Sequence, residues 1–366
     1  MNNINIKASL LSEGLQQIVG VVERKQTMPI LSHILLECSE NNLTLTATDL
    51  EVQLSCTVKN VNADDNFVTT IPGRKAFEII RSLGEQDIEI IVSDSSLKIK
   101  SSNSSFKLKT LSSNEFPLFD AIGTDTTFSA KQSEIKTLFN KTQFAMAQQD
   151  VRFYLNGLLL EVSPNTVVSV GTDGHRLAKS KITIERSKIN ESSYILPRKA
   201  VQEIQRIIND TGELKITFSD NRAVFEVGAT TLVTKLIDGS FPDYTRVIPD
   251  NTAINILLDV GKIKPALQRV SILANEKFKG VRVDLNDDVL NVSSENPEQE
   301  QATEAISIDK TGASLSVGFN VSYLIEAISA CQGEMVNLGL NDENSSALIT
   351  DPSDPESKYV VMPMRL

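Results

Sequence analysis

Thirty-six Lys and Arg against 47 Asp and Glu give this 366-residue chain a net charge of −11, with 40% hydrophobic and 23% charged residues. These are ordinary globular proportions, and the length predicts two or three domains. No run of about 18 apolar residues is present, which excludes a membrane-spanning helix, and residues 1–7 lack the basic-then-apolar order of a signal peptide.

In chain order, residues 8–25 place Leu11, Leu15, Ile18, Val19 and Val22 on one face, the spacing of an amphipathic helix. The same spacing predicts helices over 131–149 and 261–279, with Pro265 expected in the first turn of the latter. A second helix per third is expected at 74–83, 198–208 and 320–331. Period-two alternation predicts strands over 43–52, 97–100, 106–109, 214–218, 223–227 and 232–236. Asp173-Gly174 reads as a hairpin turn, and the polar, proline-bearing segment 351–358 as a flexible loop. Cys38, Cys56 and Cys331 are odd in number and far apart, so they form neither a disulfide framework nor a metal pattern. They are expected to be buried small side chains in a reducing cytoplasm.

The chain repeats itself. Ile71-Pro72-Gly73-Arg74-Lys75-Ala76 returns as Leu196-Pro197-Arg198-Lys199-Ala200, Phe116-Pro117 as Phe241-Pro242, and Thr48-Asp49 as Thr172-Asp173, all at offsets of 124 or 125 residues. A fainter third copy follows. A period this long is a whole domain, not a solenoid repeat. The predicted organisation is three similar α+β domains over 1–125, 126–250 and 251–366, each with two helices packed on antiparallel sheets.

Charge is unevenly placed. The six helical segments carry a net +9, which leaves −20 for the remainder. Basic helices within an acidic chain suit a protein that surrounds a polyanion, because phosphates attract Lys and Arg without regard to base sequence. No zinc-finger spacing or aromatic platform for base readout is present, and Trp is absent. Asp173 and His175 could form a catalytic pair, but the chain has only two histidines and no nucleophile elbow or paired metal motif. No cofactor, metal or catalytic site is expected. A hydrolase-type enzyme centred on that pair is kept as an alternative, as is a DNA-binding module that never closes into a ring.

Several strings are familiar: residues 148–157 (Gln-Gln-Asp-Val-Arg-Phe-Tyr-Leu-Asn-Gly), 172–178 (Thr-Asp-Gly-His-Arg-Leu-Ala), 241–244 (Phe-Pro-Asp-Tyr), 275–282 (Asn-Glu-Lys-Phe-Lys-Gly-Val-Arg), 318–323 and the ending 359–366 (Tyr-Val-Val-Met-Pro-Met-Arg-Leu). Together they resemble the bacterial beta sliding clamps, the processivity subunits of DNA polymerase III. That resemblance covers the whole chain. It implies a cytoplasmic, nucleoid-associated homodimeric ring of six domains around double-stranded DNA, with no enzymatic activity.

By position, the resemblance puts Arg24, Arg74, Gln149, Phe153 and Tyr154 at DNA, with Phe153 where the family carries tyrosine. Lys75, Arg198 and Lys199 are added from charge and repeat position. It also implies a pocket for short Gln- and Leu/Phe-containing peptides of the polymerase alpha subunit, the clamp loader, other polymerases and repair proteins. Its expected lining is Arg152, Leu155, Thr172, Gly174, His175, Arg176, Leu177, Pro242, Arg246, Val247, Asn320, Tyr323, Ser346 and the tail Val360, Val361, Met362, Pro363, Met364, Arg365 and Leu366. Asn344 is polar where an apolar wall is expected. The ring interface is expected at Phe106, Leu108, Ile272 and Leu273. Acidic Glu298, Glu300 and Glu304 would there meet a basic strand bearing Lys98, Lys100, Lys107 and Lys109.

Overall fold

The computed structural model describes residues 2–22, 28–120, 123, 125–185, 189–309 and 311–365. Its strands are all antiparallel and gather into four sheets, so the fold is α+β as expected. Two compact units result, Met1–Ser133 with Lys199–Leu236, and Glu134–Arg198 with Ile237–Leu366. The middle third of the chain is thus shared between them, and each large sheet spans a boundary between sequence repeats.

In the first unit, helices α1 (Ala8–Ile18) and α2 (Gly73–Ser82) pack together. α1 lies on the strand Val52–Val58. Its Leu11, Leu15 and Ile18 are buried, each stabilising the fold by about 1.5–3 kcal/mol. An eight-stranded sheet runs Thr126–Lys131, Glu213–Phe218, Arg222–Val227, Thr230–Lys235, Val52–Val58, Asn42–Thr48, His33–Ser39, Phe67–Pro72. A junction between two repeats is made where Thr230–Lys235 pairs with Val52–Val58, Leu232 opposite Leu54. The second sheet of this unit ends on the strand Ser105–Lys109, which has one neighbour, Ser96–Lys100, and an open outer edge.

The second unit holds most of α3 (Gln132–Asn140) together with α5 (Val260–Val270) and α6 (Val321–Ala330); α4 (Arg198–Ile207) belongs to the first from Lys199 onward. Its eight-stranded sheet runs Ser192–Pro197, Gly157–Val162, Thr166–Thr172, Arg176–Thr183, Asp354–Val361, Ala347–Asp351, Met335–Leu340, Ile254–Asp259. Here the repeat junction is Arg176–Thr183 against Asp354–Val361, with Leu177 opposite Val360 and Lys179 opposite Lys358. A four-stranded sheet ends on Gln301–Ser307, also with an open edge. The core beneath α5 and α6 is built from Leu267, Phe319, Leu324, Tyr359, Val361 and their neighbours.

Three helices are shorter than the sequence predicts, each for a local reason. α1 ends at Ile18 because Gly20 and the β-branched Val19, Val21 and Val22 follow; Val21 and Val22 close tight turns onto Ile18 and Val19. α3 ends at Asn140, where the buried Thr142 hydroxyl turns back to the Leu138 carbonyl at 2.9 Å and meets Ser169 at 2.7 Å. α5 ends at Val270, whose carbonyl accepts from Ser294 Oγ at 2.7 Å. This helix begins at Val260, so Pro265 falls in its second turn, not its first.

Two loop assignments also change. The expected strand 43–52 is interrupted at Asp49, whose carboxylate accepts the Glu51 and Val52 N–H groups in a tight turn. The expected loop 351–358 is a hairpin between Ala347–Asp351 and Asp354–Val361. Asp351 is 2% exposed and accepts N–H groups from Gln332, Gly333 and Ser353 as well as the Ser353 hydroxyl. All three cysteines are free and buried, as expected.

Candidate functional site

The Asp173-Gly174 hairpin forms as predicted. Asp173 Oδ1 accepts the His175 and Arg176 N–H groups at 2.9 and 3.0 Å, and Gly174 adopts φ +87°. Gly174 suits that conformation because it has no Cβ. The Asp173 carboxylate is thus committed to the turn and to Arg176 Nε at 3.0 Å, while His175 is exposed at the tip. Among the described residues no group of three or more His, Cys, Asp or Glu could hold a metal ion.

Behind the hairpin, Arg176 reaches in several directions. Its guanidinium pairs with Asp173 and Glu326, donates to the Phe144 carbonyl at 2.7 Å, and lies 4.3 Å from the Tyr323 ring centroid. Asn320 caps α6, accepting the Ser322 and Tyr323 N–H groups, and so fixes the turn that presents Tyr323.

Beside the hairpin, the segment 147–156 is locked by one reciprocal contact and one ion pair. Asn156 and Asp150 exchange hydrogen bonds at 2.9 Å. Asp150 accepts from Arg152 Nε and Nη2 at 3.0 and 2.9 Å, which holds its carboxyl at about 2. Arg152 also donates to the Asp173 carbonyl at 3.2 Å, tying the segment to the hairpin.

The third wall is the turn Tyr244–Val247. Asp243 caps it, and the Tyr244 hydroxyl donates to Glu161 at 2.6 Å. Burial, then that carboxylate, push the tyrosine pKa up. Between these walls lies a cavity of about 170 Å³ lined by Leu155, Thr172, Gly174, Arg176, Leu177, Pro242, Val247, Val360 and Met362, with Arg152, Tyr154, Asp243 and Tyr244. Small-molecule sites run to about 300–1,000 Å³, so this volume suits one or two apolar side chains of a docking segment.

Ten of the expected pocket residues therefore meet in one cavity. Tyr323 and Asn320 stand behind it through Arg176, Ser346 is half-buried, and Arg246 is 85% exposed at the side chain and paired with Asp243 at 2.8 Å. Val361 turns into the core, opposite Val360. Met364 and Arg365 line a different cleft of about 660 Å³ with Phe278 and Arg282; Pro363, between them and Met362, is half-buried, and Leu366 lies outside the described residues. Sequence reasoning missed Asp243 and Tyr244, although both stand in the familiar string 241–244. It assigned Tyr154 to DNA alone, and Tyr154 lines the cavity.

Of the residues expected at DNA, Arg24 lies outside the described residues. Gln149 is exposed at φ +55° and Phe153 is 57% exposed. Arg74 donates Nε to the Val22 carbonyl at 2.9 Å, and Lys75 is exposed. Arg198 donates to the Met146 carbonyl at 3.0 Å, and Lys199 pairs with Asp49. For the expected interface, Phe106 and Leu108 are half-buried on the open strand Ser105–Lys109. Ile272 is 77% exposed and Leu273 half-buried just after α5. Glu298 and Glu300 are exposed, while Glu304 on the other open strand pairs with Arg269 at 2.6 Å.

Comparison with known proteins matches this arrangement over its full length. Models of the DNA polymerase III beta subunit N-terminal, central and C-terminal domains match residues 2–120, 129–243 and 245–365. The chain is 42% identical to the beta sliding clamp of Pseudomonas putida over 366 residues, covering all of both, and 39% identical to that of Escherichia coli K12 over 359 residues, covering 97% of this chain and 98% of the other. Among solved structures, the DNA polymerase III subunit beta of Pseudomonas aeruginosa superposes with a TM-score of 0.96 at 40% identity, and Caulobacter crescentus pol III beta with 0.94 at 32%, each covering all of both chains. A Pseudomonas aeruginosa sliding clamp bound to griselimycin superposes at 0.95. The chain belongs to the DNA polymerase III beta subunit family and is a non-catalytic bacterial DNA sliding clamp.

Proposed function

We propose that two copies of this chain close head to tail through the strand edges each leaves open, forming a ring that holds duplex DNA and carries docked polymerase along it. The observation that carries the reading is the pattern of repeat junctions. Thr230–Lys235 pairs with Val52–Val58, and Asp354–Val361 pairs with Arg176–Thr183. One repeat back from the first member of these pairs stands Ser105–Lys109; one repeat on from the second stands Gln301–Ser307. Each of these two strands is an end of its sheet, with one edge unpaired. An open edge invites a strand, and the missing partner is supplied by a second copy. Two identical heterologous contacts close a ring when the rotation permits. Lys107 and Lys109 on one edge and Glu298 and Glu300 beside the other favour this pairing over like edges.

DNA is held without base readout, through residues such as Arg24, Arg74, Lys75, Gln149, Phe153 and Tyr154, so binding is salt-sensitive and permits sliding. Polymerase alpha subunit, clamp loader and other polymerases and repair proteins dock short motifs in the cavity beside Gly174. Their place is the cytoplasm, with the nucleoid. Loading the protein onto nicked circular DNA with its loader and ATP, then linearising the circle, tests the whole reading. Retention on the circle with loss from the linear form is the expected result; equal retention on both would refute the ring.

A further inference from the structure

Lysines of the second unit's large sheet are not equivalent. On the strand Arg176–Thr183, Leu177, Lys179 and Lys181 share one face, because side chains alternate along a strand. Lys181 is neutralised by Glu356 at 2.7 Å. Lys179 stands directly opposite Lys358 in the antiparallel register, a cross-strand like-charge pair that is unfavourable when both amines are protonated. Both lysines are half-buried, and among the described residues neither side-chain amine has a hydrogen bond or an ion pair. On its other side Lys179 faces the uncharged Val170.

We propose that Lys179 is a site of covalent acylation, its Nζ taking an acyl group from an acyl phosphate. The lone pair of the neutral amine forms the C–N bond. The bond between the carbonyl carbon and the phosphate oxygen breaks, phosphate leaves with the electron pair, and the amine's surplus proton passes to solvent. Nothing is oxidised or reduced. Only the neutral amine is a nucleophile, and the setting favours it. Burial lowers the Lys179 pKa most, Lys358 lowers it further and Lys181 adds to this, while Glu356 and Glu161 act in the opposite sense. The product amide carries no charge, so it removes the opposition to Lys358 and leaves the Lys181–Glu356 pair in place.

Lys181 is an internal control, two residues away on the same face. The full-length protein is incubated with acetyl phosphate at mildly alkaline pH, and initial acetylation rates are read at each lysine by mass spectrometry. Lys179 is expected to react severalfold faster than Lys181. Lys358→Gln should slow Lys179 severalfold, whereas Lys358→Arg, which keeps the opposing charge, should hold the fast rate. Equal rates at Lys179 and Lys181, or a Lys179 rate indifferent to Lys358→Gln, would overturn the proposal.

Discussion

Replacing Arg176 with Ala probes how the cavity proposed for docking is held. The side chain is 11% exposed and donates Nε to Asp173 at 3.0 Å and Nη2 to the Phe144 carbonyl at 2.7 Å. Its partner Asp173 is 15% exposed, so the lost bond leaves a poorly hydrated carboxylate, at about 1.5–3 kcal/mol. Glu326 is 45% exposed and recovers water, so its pairing contributes little. Contact with the Tyr323 face at 4.3 Å is worth about 0.5–1 kcal/mol. The expected loss is about 2–4 kcal/mol in urea unfolding, with docking of a labelled Gln- and Leu-containing peptide weakened about tenfold, or about 1.4 kcal/mol. Tyr323→Phe keeps the ring and should dock peptide normally, while Tyr323→Leu should lose only the cation–π share. An Arg176→Ala variant that loses under about 1 kcal/mol and binds peptide as before would refute this account.

Gly174→Ala forces a Cβ into φ +87° and to within 3.0 Å of both terminal nitrogens of Arg152; at about 1–2 kcal/mol the fold should survive, and unchanged peptide affinity in fluorescence anisotropy would count against the clasp between Arg152 and the hairpin. For Asp351, burial pushes the carboxyl up, but its hydrogen bonds to Ser353, Gly333 and Gln332 outweigh it and hold it below the usual range. Burial likewise raises Asp354, and hydrogen bonds from Lys141, Ser357 and the Glu356 N–H, with the Lys141 charge, together overcome it. Both folded values lie below the unfolded ones, so the stability they supply is present above about pH 4 and drains as pH falls through the folded values. Thermal melts of Asp351→Asn should lose the Asp351 share of that acid dependence and keep the Asp354 share, and an unchanged acid limb would exclude the Asp351 contribution. Leu273→Asp is expected to give a folded monomer, whereas light scattering at dimer mass would refute a role for Leu273 in ring closure.

What the sequence made legible was local. Period-two alternation located Ser96–Lys100 and Ser105–Lys109 within a residue, since one buried face is written into the side chains themselves. Helix starts were readable as well, and so were the ends of α2, α4 and α6; the ends of α1, α3 and α5 were not. Thr142 stops α3 by bonding Ser169, a residue on a strand of another part of the chain, and no window around residue 142 contains that partner. The hairpin at Asp351 was misread for the same reason, because a carboxylate that satisfies N–H groups at 332, 333 and 353 looks like an ordinary polar turn residue in sequence. Ten residues of the cavity, Leu177 and Val360 among them, came from the resemblance by position, whereas the strand pairing that brings those two together across 183 residues is written in no local window.

The repeat also explains why a cavity opens at this junction. Thr48-Asp49-Leu50 is the earlier copy of Thr172-Asp173-Gly174, and the two aspartates cap their turns in the same way, Asp49 accepting the Glu51 and Val52 N–H groups as Asp173 accepts those of His175 and Arg176. Leu50 keeps a left-handed φ of +78° yet carries a side chain, which packs on a cluster of Ile30, Leu31, Leu35 and Phe116. Where the second junction has the apolar floor residue Leu177, the first has Gln53, whose side-chain oxygen accepts the Phe119 N–H at 2.9 Å. One junction is thus plugged by a leucine and floored by a hydrogen-bonded amide. The other has a glycine in place of the plug and a leucine in place of the amide, and those two exchanges leave room for the cavity that is proposed above to receive a partner's apolar side chain.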